Sequence, residues 1–285
     1  MITAQTYLSW TQWIESDAWS KQKVVVPMLP PAVGKIMALA LDPDVSVTQL
    51  ARVVSGDQVL ATRVLRLANS AHCGPLEEIT SINQATVRIG TAAVRNVVLA
   101  VCLSSRLAEG RVYGALGRSL LDHSIATACM ARALAPGAGV AEDEAFLCGL
   151  LHDIGKLFIL KLAKEAAKAG APRPTESEVD AVLSTHHADI GAHLLRSWQL
   201  PAVLVEAVRC HHSTTSATQF PAHAAVTAVA DRLSHRYGFG CEATQDDSLI
   251  ESPDAVSVGL TAVRLTQLDA TASGLFETAR DVISG

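Results

Sequence analysis

Residues that start and stop helices recur along this sequence, and they constrain the fold more than any other feature. Three segments fit the capping box, in which a hydroxyl and a carbonyl three residues apart satisfy backbone N–H groups at a helix start: 46–49, 81–84 and 175–178. Gly56 and Gly90 stand where short helices should end. Between these points apolar residues recur at spacings of three and four, and no segment alternates as a strand does. The sequence predicts an all-α fold.

The helices are expected to be short at first and longer later. Residues 25–108 are predicted to form a lobe of short helices. In the second half, one helix should span about 116–134 and end in the segment "APGAGVAED". Another should run from Thr175 to about Trp198, and Pro201 and Pro221 fit the first turns of two more helices, the last of which Gly238 ends. Residues 240–255 are predicted to be a polar loop, followed by a helix from 256 onward that packs back on the core.

Composition narrows the class of protein. Hydrophobic residues make up 49% and aromatic residues only 4%, which favours closely packed helices over sheets. A net charge of −5 argues against a nonspecific nucleic-acid binder or an anionic-membrane binder. No apolar run reaches the roughly 18–20 residues that a membrane span requires. The N-terminus has no secretion signal, and the six cysteines have no CxxC spacing, so we expect a cytoplasmic, reduced protein without a disulfide framework.

A His–Asp pair in an apolar segment is the first candidate site. The stretch "GLLHDIGKLFILKL" at 149–162 contains His152 and Asp153 among leucine, isoleucine, glycine and phenylalanine. Adjacent residues on a helix point about 100° apart, so both side chains can turn toward one ion. Lys156 lies one turn further on the same face, where it would make sense beside a metal that also binds an anion such as phosphate. Alternatively, Lys156 simply reaches solvent.

Other ionisable residues lie on apolar helix faces and could complete this site. They are His123, His187, His211, His212 and Asp231. Together with the His–Asp pair, five helices each present an imidazole or a carboxylate. Burying ionisable groups without partners is costly, and a bound ion would relieve several of them at once. Neutral imidazoles and carboxylates suit iron, manganese or zinc, so the sequence predicts a metal site for one or two ions.

The simpler interpretations concern single residues. A lone histidine on an apolar face is more often a hydrogen-bonded core residue than a ligand. His186, His193, His223 and His235 are expected at the surface or just outside the ligand set, although His223 and Asp231 are two turns apart and could face together. The "RVLRLANSA" segment contains Arg63, Arg66 and Asn69, which fit a solvated helix edge and a helix stop better than a basic binding site. Trp10 and Trp13 indicate that the N-terminal helix buries an apolar face.

The order His123, His152-Asp153, Asp231 resembles the HD superfamily of metal-dependent phosphohydrolases. His187 and the His211-His212 pair resemble the extra ligands of its HD-GYP branch. The preceding segments "LPPAVGKIMALALDPDVSVTQLARVVSGDQVLATRVLRLANSA" and "EITSINQATVRIGTAAVRNVVLA" resemble the signature of the HDOD domain, an HD-related output domain of bacterial signalling proteins.

This resemblance covers about residues 22–235 and implies a domain plan. It implies a multi-helix HD-type bundle in which an N-terminal helical lobe packs on an HD-like lobe. We expect an N-terminal helical extension at 1–21, the two lobes at about 22–112 and 113–235, and a polar loop with a C-terminal helix at 236–285.

The resemblance also implies a ligand set. His123, His152, Asp153 and Asp231 would hold one metal. Asp153 would bridge to a second metal, held by His187 and by His211 or His212, and Lys156 would neutralise phosphate.

Three functions remain open at this stage. The family implies a regulatory module that acts by binding signalling proteins, such as receiver, GGDEF or EAL proteins, or a small ligand. The alternative is a phosphohydrolase for a nucleotide or another phosphoester, with Asp153 and Lys156 as catalytic residues. A third hypothesis is a sensor whose metal, for instance redox-active iron, switches the lobes.

The segment after His212, "STTSATQFPAHAAV", lacks the GYP triplet and the acidic and aromatic residues of the HD-GYP substrate loop, which argues against cyclic dinucleotide hydrolysis. Gln58 replaces the proline usual in the family, a helix-start detail. No receiver, GGDEF or EAL segment is fused here, so any partner is expected to be a separate protein.

Overall fold

The computed structural model describes residues 9–15, 45–70, 78–107, 110–166 and 172–284, and at 102–107, 110–114 and 284 it describes the backbone alone. Within these ranges the chain forms helices and no strand, which confirms the all-α prediction. The N-terminal helices are α1 (Trp10–Glu15), α2 (Val47–Ser55), α3 (Gln58–Ala68) and α4 (Ile82–Leu107). The following helices are α5 (Gly110–Ala138), α6 (Glu142–Leu151), α7 (Ile154–Glu165), α8 (Glu176–Ser197), α9 (Ala202–Cys210), α10 (Pro221–Tyr237), α11 (Pro253–Ser257) and α12 (Ala262–Ser284). Predictions for residues 1–8, 16–44, 71–77, 108–109, 167–171 and 285 lie outside the described residues.

Local sequence signals set most of the helix ends. Ser46 and Thr175 both form the predicted capping boxes, with Gln49 and Glu178 as the reciprocal partners. The helix predicted after Ser81 begins at Ile82, and the Ser81 carbonyl accepts the amide of Ala85 at 2.9 Å. The two capping boxes satisfy N–H groups that a helix start otherwise leaves without partners, whereas the Ser81–Ala85 bond is the first regular bond of its helix.

Three glycine and proline positions behave as predicted. Gly90 adopts φ 82° and ψ 158°, which breaks α4 into two helical segments. Pro221 occupies the first turn of α10, and Gly238 ends that helix in the left-handed conformation that glycine adopts without steric cost.

Two predicted boundaries are wrong. The helix expected at 116–134 spans Gly110–Ala138. Pro136 removes one backbone donor, but the helix continues for less than one further turn. Gly139 then ends it at φ 66°. The segment 240–255 is not only loop. Leu249–Glu251 form a 3-10 turn and Ser252 caps α11, because Leu249 and Ala255 bury apolar side chains. The C-terminal helix therefore starts at Ala262, after Gly259 turns the chain at φ 68°.

Two apolar cores organise the molecule. The smaller core lies among α2, α3 and α4, and its fully buried residues include Leu50, Val54, Val64, Val94 and Val98. The larger core joins α5 to α11 and extends to α1 and α12. Trp10 and Trp13 are completely buried there, which confirms the apolar face predicted for the N-terminal helix.

Helix α12 bridges both cores. Phe276 and Ile283 belong to the larger core, whereas Val282 belongs to the smaller one. Arg63 and Arg66 of α3 each donate from Nη1 to the carbonyl of Asp281, at 3.3 and 3.0 Å. These arginines were predicted to form a solvated helix edge, and Arg66 is exposed and Arg63 half-buried. Both also pair with a carbonyl at a helix C-terminus, where cations are favourable.

Asn69 behaves as the predicted helix stop. It is the C-terminal cap of α3. Its amide also pairs in both directions with the backbone of Ile79, at 2.8 Å each way, so it fixes the start of the next segment.

The described helices do not span a membrane. None of them combines the length and the continuous apolar character that crossing a bilayer requires.

Candidate metal centre

The predicted ligands come from five points of the C-terminal lobe and meet in one place. His123 lies in the middle of α5, and His152 with Asp153 forms the break between α6 and α7. His187 lies in α8, His211 and His212 follow the end of α9, and Asp231 lies in α10. Six of these residues are buried, each at most 7% exposed, whereas His212 is exposed: His123, His152, Asp153, His187, His211 and Asp231.

Three of the imidazoles are anchored through the same ring atom. Nδ1 lies 2.7 Å from the carbonyl of Gly149 in His152, 2.6 Å from Leu183 O in His187, and 2.7 Å from Val208 O in His211. A carbonyl can only accept, so each Nδ1 carries a proton and donates it. In the neutral ring, Nε2 then carries a lone pair. Metal-binding histidines have the same arrangement, in which the other ring nitrogen donates to a carbonyl or carboxylate that fixes the ring's orientation.

The lone pairs of one histidine group face each other. Nε2 of His187 lies 3.2 Å from Nε2 of His211 and 3.1 Å from Nε2 of His212. Burial lowers the pKa of His187 to about 4 and, with the nearby His152, lowers that of His211 well below its usual value. Nε2 of His187 and Nε2 of His211 therefore both lack a proton near neutral pH. Nitrogens bound to one ion at about 2.0–2.1 Å would lie roughly 2.8–3.4 Å apart at octahedral or tetrahedral angles, and the observed separations fall in this range.

A second group lies on the other side of Asp153. Nε2 of His123 is 2.9 Å from Oδ1 of Asp231, and Nε2 of His152 is 3.6 Å from the same oxygen. The ligating atoms of these three residues lie within 4.8 Å of one another. Two imidazoles and a carboxylate of this kind are suitable ligands for a first-row divalent metal.

Asp153 lies between the two groups. Its Oδ1 is 3.3 Å from Nε2 of His187, whereas its Oδ2 is 3.4 Å from Nε2 of His152 and 3.9 Å from Nε2 of His123. Each carboxylate oxygen therefore faces a different histidine group. This is the relationship expected of a carboxylate that bridges two ions.

With protein groups alone, a proton on His152 balances part of the buried negative charge of Asp153 and Asp231. Burial opposes charge on His152, but Asp153 and Asp231 outweigh it and raise its pKa to about 10. Burial likewise opposes charge on Asp153, and the surrounding His152, Lys156 and His187 lower its pKa well below the usual range. The pKa of Asp231 is lowered in the same way, mainly by hydrogen bonds from His123 and His152. A divalent cation would take the place of the proton on His152.

Two buried atoms without hydrogen-bond partners show whether a metal ion fits this cluster. Among the described residues, Nε2 of His152 and Oδ1 of Asp153 receive no hydrogen bond. The carboxylate oxygens nearest to Nε2 of His152 lie at 3.4 and 3.6 Å, so charge rather than a good hydrogen bond acts there. Buried polar atoms usually have partners, and both atoms face the positions at which an ion would bind. The residues present therefore fit one or two divalent metal ions.

Lys156 lies at the border between this cluster and solvent. Its Nζ is 2.5 Å from Oδ2 of Asp153, and its side chain is 22% exposed. The prediction that it shares the face of the His–Asp pair is confirmed by this contact. With the exposed His212, it marks the side on which an anion could reach the cluster.

Two glycines allow the helices to approach closely enough to form the cluster. A Cβ on Gly149 would lie 2.6 Å from the carbonyl oxygen of Thr127, between α6 and α5. A Cβ on Gly155 would overlap the carbonyl oxygen of His187, between α7 and α8. The His–Asp pair is thus held between two backbone contacts that only glycine permits.

Two other histidines, His223 and His235, have different neighbours. Nε2 of His223 lies 3.0 Å from Oε2 of Glu144, so the prediction that His223 could face Asp231 is wrong. His235 lies beside the centre, with Nε2 3.5 Å from Oδ1 of Asp231 and its ring centroid 4.7 Å from that of His123.

Cys241 also lies beside the centre, and sequence reasoning missed it. Its Sγ is 4.0 Å from Nδ1 of His123, and His123, His235 and Cys241 form a further cluster of potential ligands. The contact depends on Gly240, which adopts φ 68° and packs against the backbone of α5 near Ser119. Gly240 in "FGC" is the only local signal of that approach.

The comparisons agree with this architecture. The family model for the HDOD domain matches residues 26–214, about two thirds of the chain. The chain belongs to the HDOD family.

Solved structures share this HDOD fold. A Shewanella amazonensis protein, provisionally named a metal-dependent phosphohydrolase, matches with a TM-score of 0.74 and 19% identity, over 96% of this chain and 99% of that one. An HDOD domain protein with unknown function from Geobacter sulfurreducens matches with a TM-score of 0.73 and 23% identity, over 95% and 97%. A Marinobacter aquaeolei protein, provisionally named a signal transduction protein, has a TM-score of 0.66 and 20% identity, over 95% and 61%. At these identities the likeness shows the fold alone.

Curated relatives match over shorter parts of their length. An uncharacterized protein of Treponema pallidum is 27% identical over 208 residues, 68% of the HDOD chain and 39% of the relative. Ribonuclease Y of Symbiobacterium thermophilum is 31% identical over 118 residues, 41% of this chain and 18% of the relative. The chain spans less than half the length of each.

Proposed function

We propose that the chain is a regulatory HDOD module whose C-terminal lobe is built around one or two divalent metal ions. One observation carries the proposal. Nε2 of His187 and Nε2 of His211 face each other at 3.2 Å with their lone pairs inward, because Nδ1 of each ring donates to a backbone carbonyl. Lone pairs at such distances repel one another unless a cation lies between them. The bridging position of Asp153 and the unpartnered atoms of the His–Asp pair support the same conclusion.

The ligand set indicates which metals to expect. Five imidazoles and two carboxylates, without a nearby pair of thiolates, suit iron, manganese or zinc better than calcium or magnesium. His123, His152, Asp153 and Asp231 would hold one ion. Asp153 would also contact a second ion held by His187, His211 and His212.

The segment after His212 supports a regulatory role over a hydrolytic one. The carboxylate of Glu206 accepts the backbone N–H groups of Thr218 and Gln219 at 3.0 Å and also that of Phe220. This segment is therefore fastened back to α9, and its exposed side chains are small and mostly uncharged. A substrate loop would need groups that hold a leaving group. We infer that the module acts by binding signalling proteins, with receiver, GGDEF and EAL proteins as the candidate partners.

The metal content of tag-free protein tests the proposal. We expect one to two equivalents of iron, manganese or zinc by mass spectrometry after purification, and their loss in a His152→Ala/Asp153→Ala variant. His186→Ala is the matched control, because His186 neighbours His187 in sequence but does not belong to the cluster. Less than half an equivalent in the wild-type protein, unchanged after adding metal, would refute the metal centre.

Metal-dependent hydrolysis of a phosphoester is a second candidate, favoured by Lys156. Bound metal ions would activate a water molecule and polarise the phosphoryl oxygens. Nζ of Lys156 lies beside the bridging carboxylate and partly in solvent, where it can pair with a phosphate and stabilise charge on it. The similarity to ribonuclease Y over 118 residues supports a phosphodiester as the substrate class.

Two chromogenic substrates separate the candidates. If the module hydrolyses phosphoesters, bis(p-nitrophenyl) phosphate or p-nitrophenyl phosphate will turn over with added Mn²⁺, and Lys156→Met will lower kcat without removing metal. Lys161→Met on the same helix provides the control. Activity that persists in both Lys156→Met and Asp153→Asn would come from a contaminant, whereas metal binding without turnover leaves the regulatory function.

A further inference from the structure

The loop that follows α10 packs against α5 at His123. A Cβ on Gly240 would overlap the carbonyl oxygen of Ser119 and lie 2.5 Å from the backbone nitrogen of His123. The hydroxyl of Ser119 also donates to the carbonyl of Gly240. Next to this glycine, the ring of Phe239 stacks on that of Phe276 in α12, with ring centroids 4.5 Å apart. These contacts fix the path of the loop beside the candidate metal centre.

The outer nitrogen of His123 faces a sulfur atom. In three other buried histidines of the centre, Nδ1 donates to a backbone carbonyl. Nδ1 of His123 instead lies 4.0 Å from Sγ of Cys241 and has no other hydrogen-bond partner among the described residues, although His123 is only 3% exposed. The thiol of Cys241 can donate to the carbonyl of Phe239 at 3.5 Å. A sulfur lone pair is then left to accept a proton from Nδ1.

The tautomer of His123 depends on what its Nε2 binds. With protein groups alone, Nε2 lies 2.9 Å from Oδ1 of Asp231 and donates to it, so Nδ1 carries the lone pair. An ion at Nε2 requires a lone pair there, and the proton of the neutral ring is then on Nδ1, facing Cys241. The three histidines anchored to carbonyls already have their proton on Nδ1. His123 is therefore the buried histidine of the centre whose outer partner is a side chain.

We propose that Cys241 is a positioning residue of the metal centre, whose sulfur accepts the Nδ1 proton of His123 and holds the Nε2 lone pair toward the ion beside Asp231. This inference rests on the metal centre proposed above. Outer partners of this kind change metal affinity by about 10–100-fold, and we expect the lower end because sulfur is a weak acceptor. The ion held by His187 and His211 should not depend on Cys241, because both rings donate to the backbone.

Titration of the full chain with Co²⁺, followed by visible absorption, tests this role. Cys241→Ala should weaken the binding of one ion about tenfold. Cys241→Asn offers an uncharged amide oxygen on a longer side chain and should restore the affinity, whereas Cys241→Leu has a similar size but no acceptor and should not. Cys129→Ala is the matched thiol control and should bind like wild type, because Cys129 contacts the carbonyl of Leu275 and belongs to no cluster of potential ligands.

A His123→Ala background separates positioning from a general loss of structure. In this background the ion held by His187 and His211 remains, and no ring is left for the sulfur to orient. Adding Cys241→Ala should therefore leave the remaining Co²⁺ affinity unchanged. A further fall in affinity in the double variant would overturn the proposal, because the cysteine would then act on the fold rather than through His123.

The near-ultraviolet spectrum of Co²⁺-loaded wild-type protein gives a result that needs no variant. The thiolate-to-cobalt charge-transfer band should be absent, because Cys241 contacts the ring and not the ion. Its presence would make a cysteine a ligand and overturn the outer role. Equal affinities of Cys241→Asn and Cys241→Leu, both folded by circular dichroism, or a wild-type affinity in Cys241→Ala, would refute the role of Cys241 alone. Folded wild-type protein that binds no Co²⁺ would refute the metal centre and this inference with it.

Discussion

Gly155 and His187 are in direct backbone contact. A methyl group on Gly155 would overlap the carbonyl oxygen of His187 and lie 2.7 Å from the backbone nitrogen of Gly191. The contact sets the distance between α7 and α8 at the point where Asp153 and His187 face each other at 3.3 Å. Because Gly155 has no side chain, α7 and α8 can approach closely enough for Asp153 to face His187.

Gly155→Ala should destabilise the protein by about 2–3 kcal/mol, because neither backbone can move without separating the two helices. Urea unfolding followed by circular dichroism measures this change. The same variant should bind metal more weakly, since Asp153 and His187 would move apart.

Gly274→Ala is the control for that measurement. Gly274 is exposed within α12, and a Cβ there meets nothing within 4 Å. Alanine has a higher helix propensity than glycine, so stability should rise by up to about 1 kcal/mol. If both substitutions have the same effect, the packing argument for Gly155 fails.

Metal addition should stabilise the folded state. Protein treated with a chelator and then given Mn²⁺ or Zn²⁺ at about 100 times the dissociation constant should gain about 2.7 kcal/mol, because the ion binds only the assembled cluster. Thermal unfolding at fixed pH measures the gain as a rise in Tm. His187→Ala should lose most of it.

For this experiment His186→Ala serves as the comparison variant and should keep the full gain. An equal rise in Tm for His187→Ala and wild type would mean that the ion binds elsewhere.

Glu206 should make stability depend on acid pH. Burial opposes its charge, but the backbone N–H groups of Thr218, Phe220 and Gln219 outweigh burial and lower its pKa. The group therefore contributes stability above its unfolded pKa, and this contribution is lost as the pH falls through the lowered folded pKa. Glu206→Gln should cost about 2 kcal/mol at pH 7, because an amide cannot accept all these bonds.

The difference between Glu206→Gln and wild type should shrink as the pH is lowered below about 4.5, the ordinary range for this group. Urea midpoints measured from pH 7 to pH 3 provide the test, with Glu251→Gln at an exposed position as the control. A difference that is constant over this range would contradict the role of the carboxylate charge.

Arg63 and Arg66 should hold the end of α12. Replacing both with alanine removes two donors to the carbonyl of Asp281 and two cations at a helix C-terminus. We expect a loss of about 1–2 kcal/mol and faster amide exchange, confined to residues 276–284. Hydrogen–deuterium exchange with peptide resolution measures this effect.

Arg52→Ala, at an exposed position of α2, should leave that exchange unchanged. Exchange that stays at the wild-type rate in the double variant would show that apolar packing alone holds the helix.

The sequence predicts most features that local rules govern. Helix starts at Ser46 and Thr175, the break at Gly90 and the end at Gly238 follow from backbone chemistry within a few residues. The convergence of His123, His152, Asp153 and Asp231 was expected from the HD resemblance, and the structure places them together. Their role as metal ligands stays a prediction, as do the domain boundaries at 22 and 235.

Contacts between residues distant in sequence were not predictable. Arg66 meets Asp281 across more than two hundred residues, and no pattern within α3 distinguishes that partner from solvent. His223 pairs with Glu144 instead of facing Asp231, because eight residues along α10 leave the two side chains about 80° apart around the helix axis. Cys241 reaches His123 through a loop whose path depends on Gly240. Such contacts follow from tertiary packing, on which local spacing carries no information.

The dual membership of α12 has a consequence for the order of folding. Val282 completes the core formed by α2, α3 and α4, although more than two hundred residues separate it from α3. During synthesis the N-terminal lobe emerges from the ribosome before α12, and it lacks this part of its core until α12 is released. The apolar surface of α2, α3 and α4 that Val282 covers therefore stays exposed until then, and a chaperone can bind there during that time.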